Sequence, residues 1–252
     1  MGRELTAPSE RLIAAAQLAA AILFEGEQGK ELCAIDVGCD HAKLSVYLIQ
    51  SGICRQVLAC DINDGPVKKA KETVVRRRFR NQPLTDSITV RQNDGLQGLG
   101  SVPAQRIFIL GMGGELIADI LERADFVRDP SRKTAFVLQA MTSESLLRRY
   151  LCERGFAILK ERLVRDKGRI YALMLCRYDG VCRNMSEGML AVGEYNVHHP
   201  HPELFLPYID RKIRIQAKAI SQLESAGIDC QAQKALFDEL KSLRSAALVS
   251  EK

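Results

Sequence analysis

A short apolar strand, an acidic glycine turn and the start of a helix follow one another in Ala34-Ile35-Asp36-Val37-Gly38-Cys39-Asp40-His41, with Ala42–Gln50 as the helix. That succession restricts the fold more than any other segment. A strand carries the backbone to a sheet edge, glycine permits close approach of a ligand, and the helix N-terminus presents free N–H groups. The turn therefore reads as a nucleotide-cofactor device. A pyrophosphate site calls for G-x-G-x-x-G with no carboxylate beside the phosphates. Here Asp36 and Asp40 bracket a single Gly38. Two carboxylates repel a pyrophosphate and suit a cationic ligand. S-adenosylmethionine, with an ammonium, a sulfonium and no phosphate, has that character. Taken alone, the same turn also fits an ordinary buried strand–helix connection.

The rest of the chain supplies the context. Residues 9–25 read as an amphipathic helix capped by Ser9 behind Pro8. Strands are expected at Leu32–Val37, Gln56–Cys60, Ser87–Gln92, Gln105–Leu110 and Thr134–Leu138. Helices follow them at His41–Ser51, from Asp64 to about Arg78, at Glu115–Glu122 and at Glu144–Arg154. Strands alternating with helices predict a parallel sheet covered on both faces. The alternation then breaks: Phe156–Val164 and Arg169–Cys176, joined by Arg165-Asp166-Lys167-Gly168, form an antiparallel hairpin. A parallel sheet closed by such a hairpin resembles the seven-stranded, Rossmann-like class I methyltransferase fold. The pattern stops near Asp179–Glu187, which divides the chain into residues 1–183 and 184–252. In the second part Leu206, Ile209, Ile213, Ile220 and Leu223, and then Leu236, Leu240, Leu243 and Ala247, repeat at helical spacing on either side of Gly227. They predict an antiparallel, coiled-coil-like helical hairpin, roughly 30 Å long at 1.5 Å per residue.

Composition excludes several classes. No apolar run reaches the roughly 18 residues of a membrane span, and Leu12–Phe24 lacks the basic flank and cleavage site of a leader, so a cytoplasmic location is expected. The 8 cysteines show no C-x-x-C and no zinc spacing, which fits a reducing compartment rather than a disulfide scaffold. No metal is expected, and His198-His199-Pro200-His201 reads as a loop. Residues 1–186 carry 28 Lys/Arg against 22 Asp/Glu, so the excess positive charge sits on the larger domain and suits a polyanionic partner.

In open α/β sheets a ligand lies beyond the carboxyl ends of the strands. Those ends deliver Asp36, Gly38 and Asp40, then Asp61 and Ile62, then Asn93, Asp94 and Gly95, then Gly111, Met112 and Gly113. Asp61 is placed to accept both ribose hydroxyls of an adenosyl group, and Asp94 to accept from the adenine amine. Gly111 and Gly113 leave room for the methionine part and an incoming substrate.

The segments DVGCDHAKL, DINDGPVKKA, NDGL and GMGGELIADIL, behind an N-terminal SERL helix, together resemble the bacterial TrmK family of tRNA (adenine-N1)-methyltransferases, which act in the D-arm at the adenine conventionally numbered twenty-two. The resemblance covers about residues 5–178 and, less specifically, the helical hairpin. It implies S-adenosyl-L-methionine as cofactor and tRNA as partner. Two positions depart from the family: Lys43 where Tyr is usual, and Gln139-Ala140-Met141 where many members have Gln-Pro. The implied chemistry is in-line attack of adenine N1 on the sulfonium methyl, with Asp40 and His41 as candidate catalytic groups for the proton later lost from N6. His41 is equally compatible with capping its helix. Gln139 is a candidate to read the base edge, and Met112, Tyr171 and Phe79 to clamp an unstacked base. For the RNA backbone the candidates are Lys43 and the run Arg76, Arg77, Arg78, extended by Lys68, Lys69, Arg148, Arg149 and Arg165–Arg169; a solvated helix end is the alternative for that run. The departure at Ala140 leaves two other functions open: the same fold acting on a different nucleic acid or small molecule, or an RNA-binding protein that retains the cofactor pocket without catalysis.

Overall fold

Apolar strands that must be covered on both faces set the architecture. Leu32–Val37 (β1) is buried at all six positions, as expected of a central parallel strand. In the computed structural model, which describes residues 8–24, 27, 32–201 and 203–249, it pairs in parallel with Cys54–Asp61 (β2) on one side and Arg106–Gly113 (β6) on the other. Ile88–Gln92 (β5) extends the sheet beyond β2, and Ala135–Thr142 (β7) beyond β6. Phe156–Asp166 (β8) and Arg169–Tyr178 (β9) close it as an antiparallel hairpin, with β9 inserted between β7 and β8. The order β5-β2-β1-β6-β7-β9-β8 is the seven-stranded class I arrangement the sequence predicts.

Helices cover both faces. Glu10–Ala20 (α1), Lys43–Gln50 (α2) and Asp64–Val75 (α3) pack through Ala14, Ala15, Leu48, Ala70 and Val74 on one side. Gly114–Glu122 (α4) and Glu144–Glu153 (α5) pack through Ile117, Leu121, Leu147 and Leu151 on the other. Past β9 come two short helices, Glu187–Val192 (α6) and Glu194–His198 (α7), then Phe205–Ser225 (α8) and Gln231–Val249 (α9). At 21 and 19 residues, the last two make the predicted hairpin.

That hairpin shares a core with the sheet edge. Leu163, Ile170 and Ala172 of β8–β9 meet Ala191, Val192, Phe205, Tyr208, Ile209 and Leu240. Beneath this core Arg148 is fully buried; its Nε donates to Glu161 Oε1 at 2.9 Å and its Nη1 to the Leu190 carbonyl at 2.8 Å. Arg148 is thus a buried strut and not part of the surface expected from the sequence. Glu144 adds a second tie, accepting from Tyr208 Oη at 2.7 Å and Lys212 Nζ at 2.5 Å.

Several boundaries differ from expectation. The first helix ends at Ala20, its predicted terminus Glu25 lying outside the described residues, and Ser9 makes no side-chain cap. There the buried Arg106 takes the carbonyls of Ala19 and Ile22 and so fixes the helix end. α3 stops at Val75 rather than Arg78, because Arg78–Phe79 (β3) turns back to pair with Gln82–Pro83 (β4). Gly111-Met112-Gly113 and Gln139-Ala140-Met141 belong to strands and not to loops, since Met112 pairs with Ala140 and Gly113 with Thr142. A proline at 140 would bring no N–H to that ladder. His198 lies in α7, and His199 stacks on Tyr195. Among the described residues no cluster of His, Cys, Asp or Glu has the arrangement of a metal site, and no helix is long and apolar enough to cross a membrane.

Candidate active site

The carboxyl ends of β5, β2, β1 and β6 lie side by side in the sheet, so the four predicted clusters become one surface. At its centre is a cleft of about 260 Å³ lined by Asp36, Gly38, Asp40, His41, Lys43 and Gly111. The turn after β1 is pinned over β2, the N–H groups of Gly38 and Cys39 both donating to the Cys60 carbonyl at 2.8 and 3.0 Å. Gly38 has φ +72°, and a Cβ on it would lie 2.2 Å from Met112 Cε. The positive φ favours glycine there, and a Cβ would also oblige the flexible end of Met112 to move. Asp40 and Ala42 also adopt left-handed backbone, so α2 starts only at Lys43. His41 therefore does not cap it. Its Nε2 lies 3.6 Å from Asp40 Oδ1, with Asp40 exposed at the rim.

Asp36 is the electrostatic centre. It is 4% exposed, and its carboxylate accepts from Ser45 Oγ at 2.6 Å and from the Ser45 backbone N–H. Burial pushes its pKa up from 3.8 to about 6; the Ser45 hydrogen bonds oppose the shift and the nearby Asp61 carboxylate adds to it. Burial likewise drives the Cys39 thiol far up and Cys60 up to about 12, so neither is a thiolate nucleophile at neutral pH.

Beside the cleft, Asp61 orders its own loop by accepting the Asn63 N–H at 2.9 Å. The Asp61 carbonyl accepts from Asn93 N at 2.9 Å, and the Ile62 carbonyl from Gln92 Nε2 at 2.7 Å. Asn93 in turn donates to the carbonyls of Gly95 and Gln97. Asp94 is held by Arg123 at 2.9 Å, which also grips Asp119. Gln139 is fully buried beneath Gly111, whose N–H donates to its Oε1 at 3.2 Å. Its carboxamide is engaged within the protein and is not presented to read a base edge.

The basic run lies elsewhere. α3 begins beside Asp61 and carries the chain back to the amino ends of β2 and β5, where Arg77 O accepts from Leu84 N and Phe79 lines a groove with Cys54, Arg55 and Ser87. Arg76, Arg77 and Arg78 are thus at the opposite end of the sheet from the cleft. Phe79 there lies under Arg80 and cannot clamp a base at the cleft. The β8–β9 turn, by contrast, is at the cleft end, with Arg165, Lys167 and Arg169 exposed.

Residues 23–174 match the methyltransferase-domain family. The chain belongs to that family. A Bacillus subtilis (strain 168) protein named tRNA (adenine(22)-N(1))-methyltransferase is 29% identical over 219 residues, covering 83% of this chain and 87% of the relative. The crystal structure of the B. subtilis m1A22 tRNA methyltransferase TrmK superposes with a TM-score of 0.71 at 25% identity, covering 96% of this chain and 97% of that one. TrmK of M. capricolum, solved with S-adenosyl-homocysteine, gives a TM-score of 0.69 at 21% identity over 96% of each chain. The resemblance drawn from the sequence motifs is borne out by these matches. For this methyltransferase-domain protein, sequence reasoning missed Ser45, Arg123 and Arg11, which acquire their roles through contacts made in the fold.

Proposed function

We propose that this protein transfers the methyl group of S-adenosyl-L-methionine to N1 of an adenine in tRNA, adenine 22 being the position in the name of the Bacillus relative. The observation that carries the reading is the run of acid and glycine across four adjacent strand ends, with Asp36 at its centre, buried and without an ion-pair partner among the described residues. An adenosyl ligand with a cationic methionine end fits that set of acceptors: Asp61 for the ribose hydroxyls, Asp94 for the adenine amine and Asp36 for the ammonium, with the Gly38 and Gly111 backbone for close approach.

When bound, the cofactor supplies an electrophilic methyl whose bonding electrons return to sulfur as the N1–C bond forms. The protein's contribution is orientation along that line and a low-dielectric wall. Asp40 and His41 are the proposed acceptors of the N6 proton that the methylated base must lose, a role supported by their place in the cleft lining. Met112 and Tyr171 remain the candidates to contact the base. For the RNA backbone, exposed Arg165, Lys167 and Arg169 at the cleft end are better placed than Arg76, Arg77 and Arg78. The division into 1–183 and 184–252, and a cytoplasmic setting, belong to the same reading. The end of β9 at Tyr178 and the start of α6 at Glu187 support the first.

The test is incubation of the purified protein with labelled cofactor and unmodified bacterial tRNA, followed by mass spectrometry of the nucleosides. N1-methyladenosine is expected, and should be lost in Asp40→Ala. Absence of any methylated nucleoside from a preparation that demonstrably binds the cofactor would overturn the reading.

A further inference from the structure

Besides Lys43, the acidic cleft contains a cation brought in by the first turn of α1. α1 lies close on the sheet through Ala14, Ala15, Ala16 and Ala19, all buried. Its carboxyl end is clamped by Arg106, which donates from Nε to the Ala19 carbonyl at 2.9 Å and from Nη2 to the Ile22 carbonyl at 2.8 Å. Arg106 is itself fully buried and paired with Glu27 at 2.8 Å. With that end fixed, the first turn of α1 delivers Arg11 to the cleft, where it joins Asp36, Gly38 and Asp40 in the lining.

Arg11 commits only part of its fork to the protein. Nη1 donates to Gln139 Oε1 at 2.5 Å and approaches Met141 Sδ at 3.2 Å. The guanidinium lies 5.3 Å from the Tyr171 ring centroid. Nε is screened from solvent and has no hydrogen-bond partner among the described residues; Asp166 Oδ2, at 3.9 Å, is beyond hydrogen-bond reach. A Cβ on Gly111 would be 3.5 Å from Nη1, so the guanidinium sits directly over the bare backbone that admits the methionine end of the cofactor.

That end carries three charges. Asp36 and Asp40 suit the ammonium and the sulfonium, but they repel the carboxylate. A carboxylate in this cleft needs a planar cation with donors to spare, which is what Arg11 offers. We propose that Arg11 binds the α-carboxylate of S-adenosylmethionine, while its bond to Gln139 keeps the guanidinium plane over Gly111. The proposal rests on the cofactor reading above and adds a residue to it.

Decarboxylated S-adenosylmethionine keeps the ammonium and the sulfonium and lacks only the carboxylate, so calorimetry with both ligands isolates the contact. The wild-type protein should prefer S-adenosylmethionine by about tenfold or more, the effect of one charge-assisted pair. Arg11→Met should lose that preference, weakening S-adenosylmethionine binding about tenfold and decarboxylated binding less than twofold. Gln139→Ala, which removes the support but not the charge, should weaken S-adenosylmethionine more than the decarboxylated ligand and so reduce the preference without abolishing it. Equal weakening of both ligands by Arg11→Met, or no preference in the wild type, would overturn the assignment and leave Arg11 as a strut. Should Arg11→Met fail to fold, Arg11→Lys decides: a reduced but surviving preference supports the contact, and an undiminished one overturns it. Wild-type protein that binds neither ligand would instead refute the cofactor reading itself.

Discussion

Asp36→Asn offers a quantitative check on the electrostatics of the cleft. The wild-type carboxyl is buried, is hydrogen-bonded by both the hydroxyl and the backbone N–H of Ser45, and is pushed up from 3.8 to about 6 because burial disfavours its charge. The folded protein therefore holds this proton through a pH range in which the unfolded chain has lost it. Stability from this group is greatest below pH 4, falls as pH rises from about 4 to 6, and stays at the lower level above 6. A shift of roughly two units corresponds to a penalty of about 3 kcal/mol at neutral pH, of which about a third is already present at pH 4.5. Asparagine does not titrate. Its new amide donor costs about 1–3 kcal/mol if left unpaired, but that cost is constant with pH and cancels from the slope. The unfolding free energy of the variant relative to wild type should then rise by about 2 kcal/mol between pH 4.5 and 7.5, whatever its absolute sign. Urea denaturation at fixed ionic strength measures this directly. In thermal melts the same change is about 4–8 °C for a chain of this size. A cation bound beside Asp36 favours the carboxylate, so cofactor affinity should fall as pH drops below 6 in the wild type and show no such fall in the variant. Parallel stability profiles for the two proteins would refute the picture of a buried carboxyl lacking a cationic partner.

Three further outcomes follow from the packing. Gly114→Ala places a Cβ 2.3 Å from the Ser143 carbonyl oxygen, a backbone atom with nowhere to move, and should destabilise by about 1–3 kcal/mol in urea. Gly38→Ala meets only the flexible end of Met112 but must hold φ +72°; it should cost about 1–2 kcal/mol and weaken cofactor binding by calorimetry out of proportion to its melt. Arg148→Met strands Glu161 without its charge partner and should cost about 3–5 kcal/mol, most of it recovered when Glu161 is also made Leu; additive losses in the double variant would argue against a coupled pair. Removing the charges of Arg165, Lys167 and Arg169 should lower the salt slope of tRNA binding by about 2, whereas removing those of Arg76, Arg77 and Arg78 should leave it unchanged. The reverse result would put the RNA on the amino end of the sheet.

The pattern of what could be read in the sequence follows from the range of the interactions. Strands such as β1 and β9 are continuous apolar runs, and the break from helix-linked strands to the β8–β9 hairpin is visible in the chain itself. The end of α3 is not. It is set by a two-residue turn in which Arg80 and Asn81 both take positive φ, the geometry of a tight hairpin, and arginine at the first position conceals a signal that asparagine alone only hints at. Arg148 was legible in principle. Glu144, Leu147, Arg148, Leu151 and Cys152 are the buried positions of α5, and their spacing is that of a core-facing helix stripe. Only the expectation that arginine belongs in water placed it on the surface, and Glu161 is the partner that reverses it.

The same distinction divides the site. Asp36, Gly38, Asp61, Asp94 and Gly111 each occupy the end of their own strand, so a local reading collects them once a parallel sheet is assumed. Arg11 and Gln139 are 128 residues apart, and nothing in either neighbourhood announces the other. Their meeting depends on two buried facts, the Arg106 clamp at the far end of α1 and the continuation of β7 through Ala140 to Thr142. A chain with 36 lysines and arginines cannot show by composition which of them are spent. Here Arg106 and Arg148 are consumed in holding the fold, Arg123 in orienting Asp94, and Arg11, in the cleft proposed for the cofactor, keeps an Nε without a hydrogen-bond partner among the described residues. The residues that discriminate between ligands of this cleft are therefore expected among side chains carried in from distant elements, while the strand-end acids and glycines define the general class of ligand it can hold.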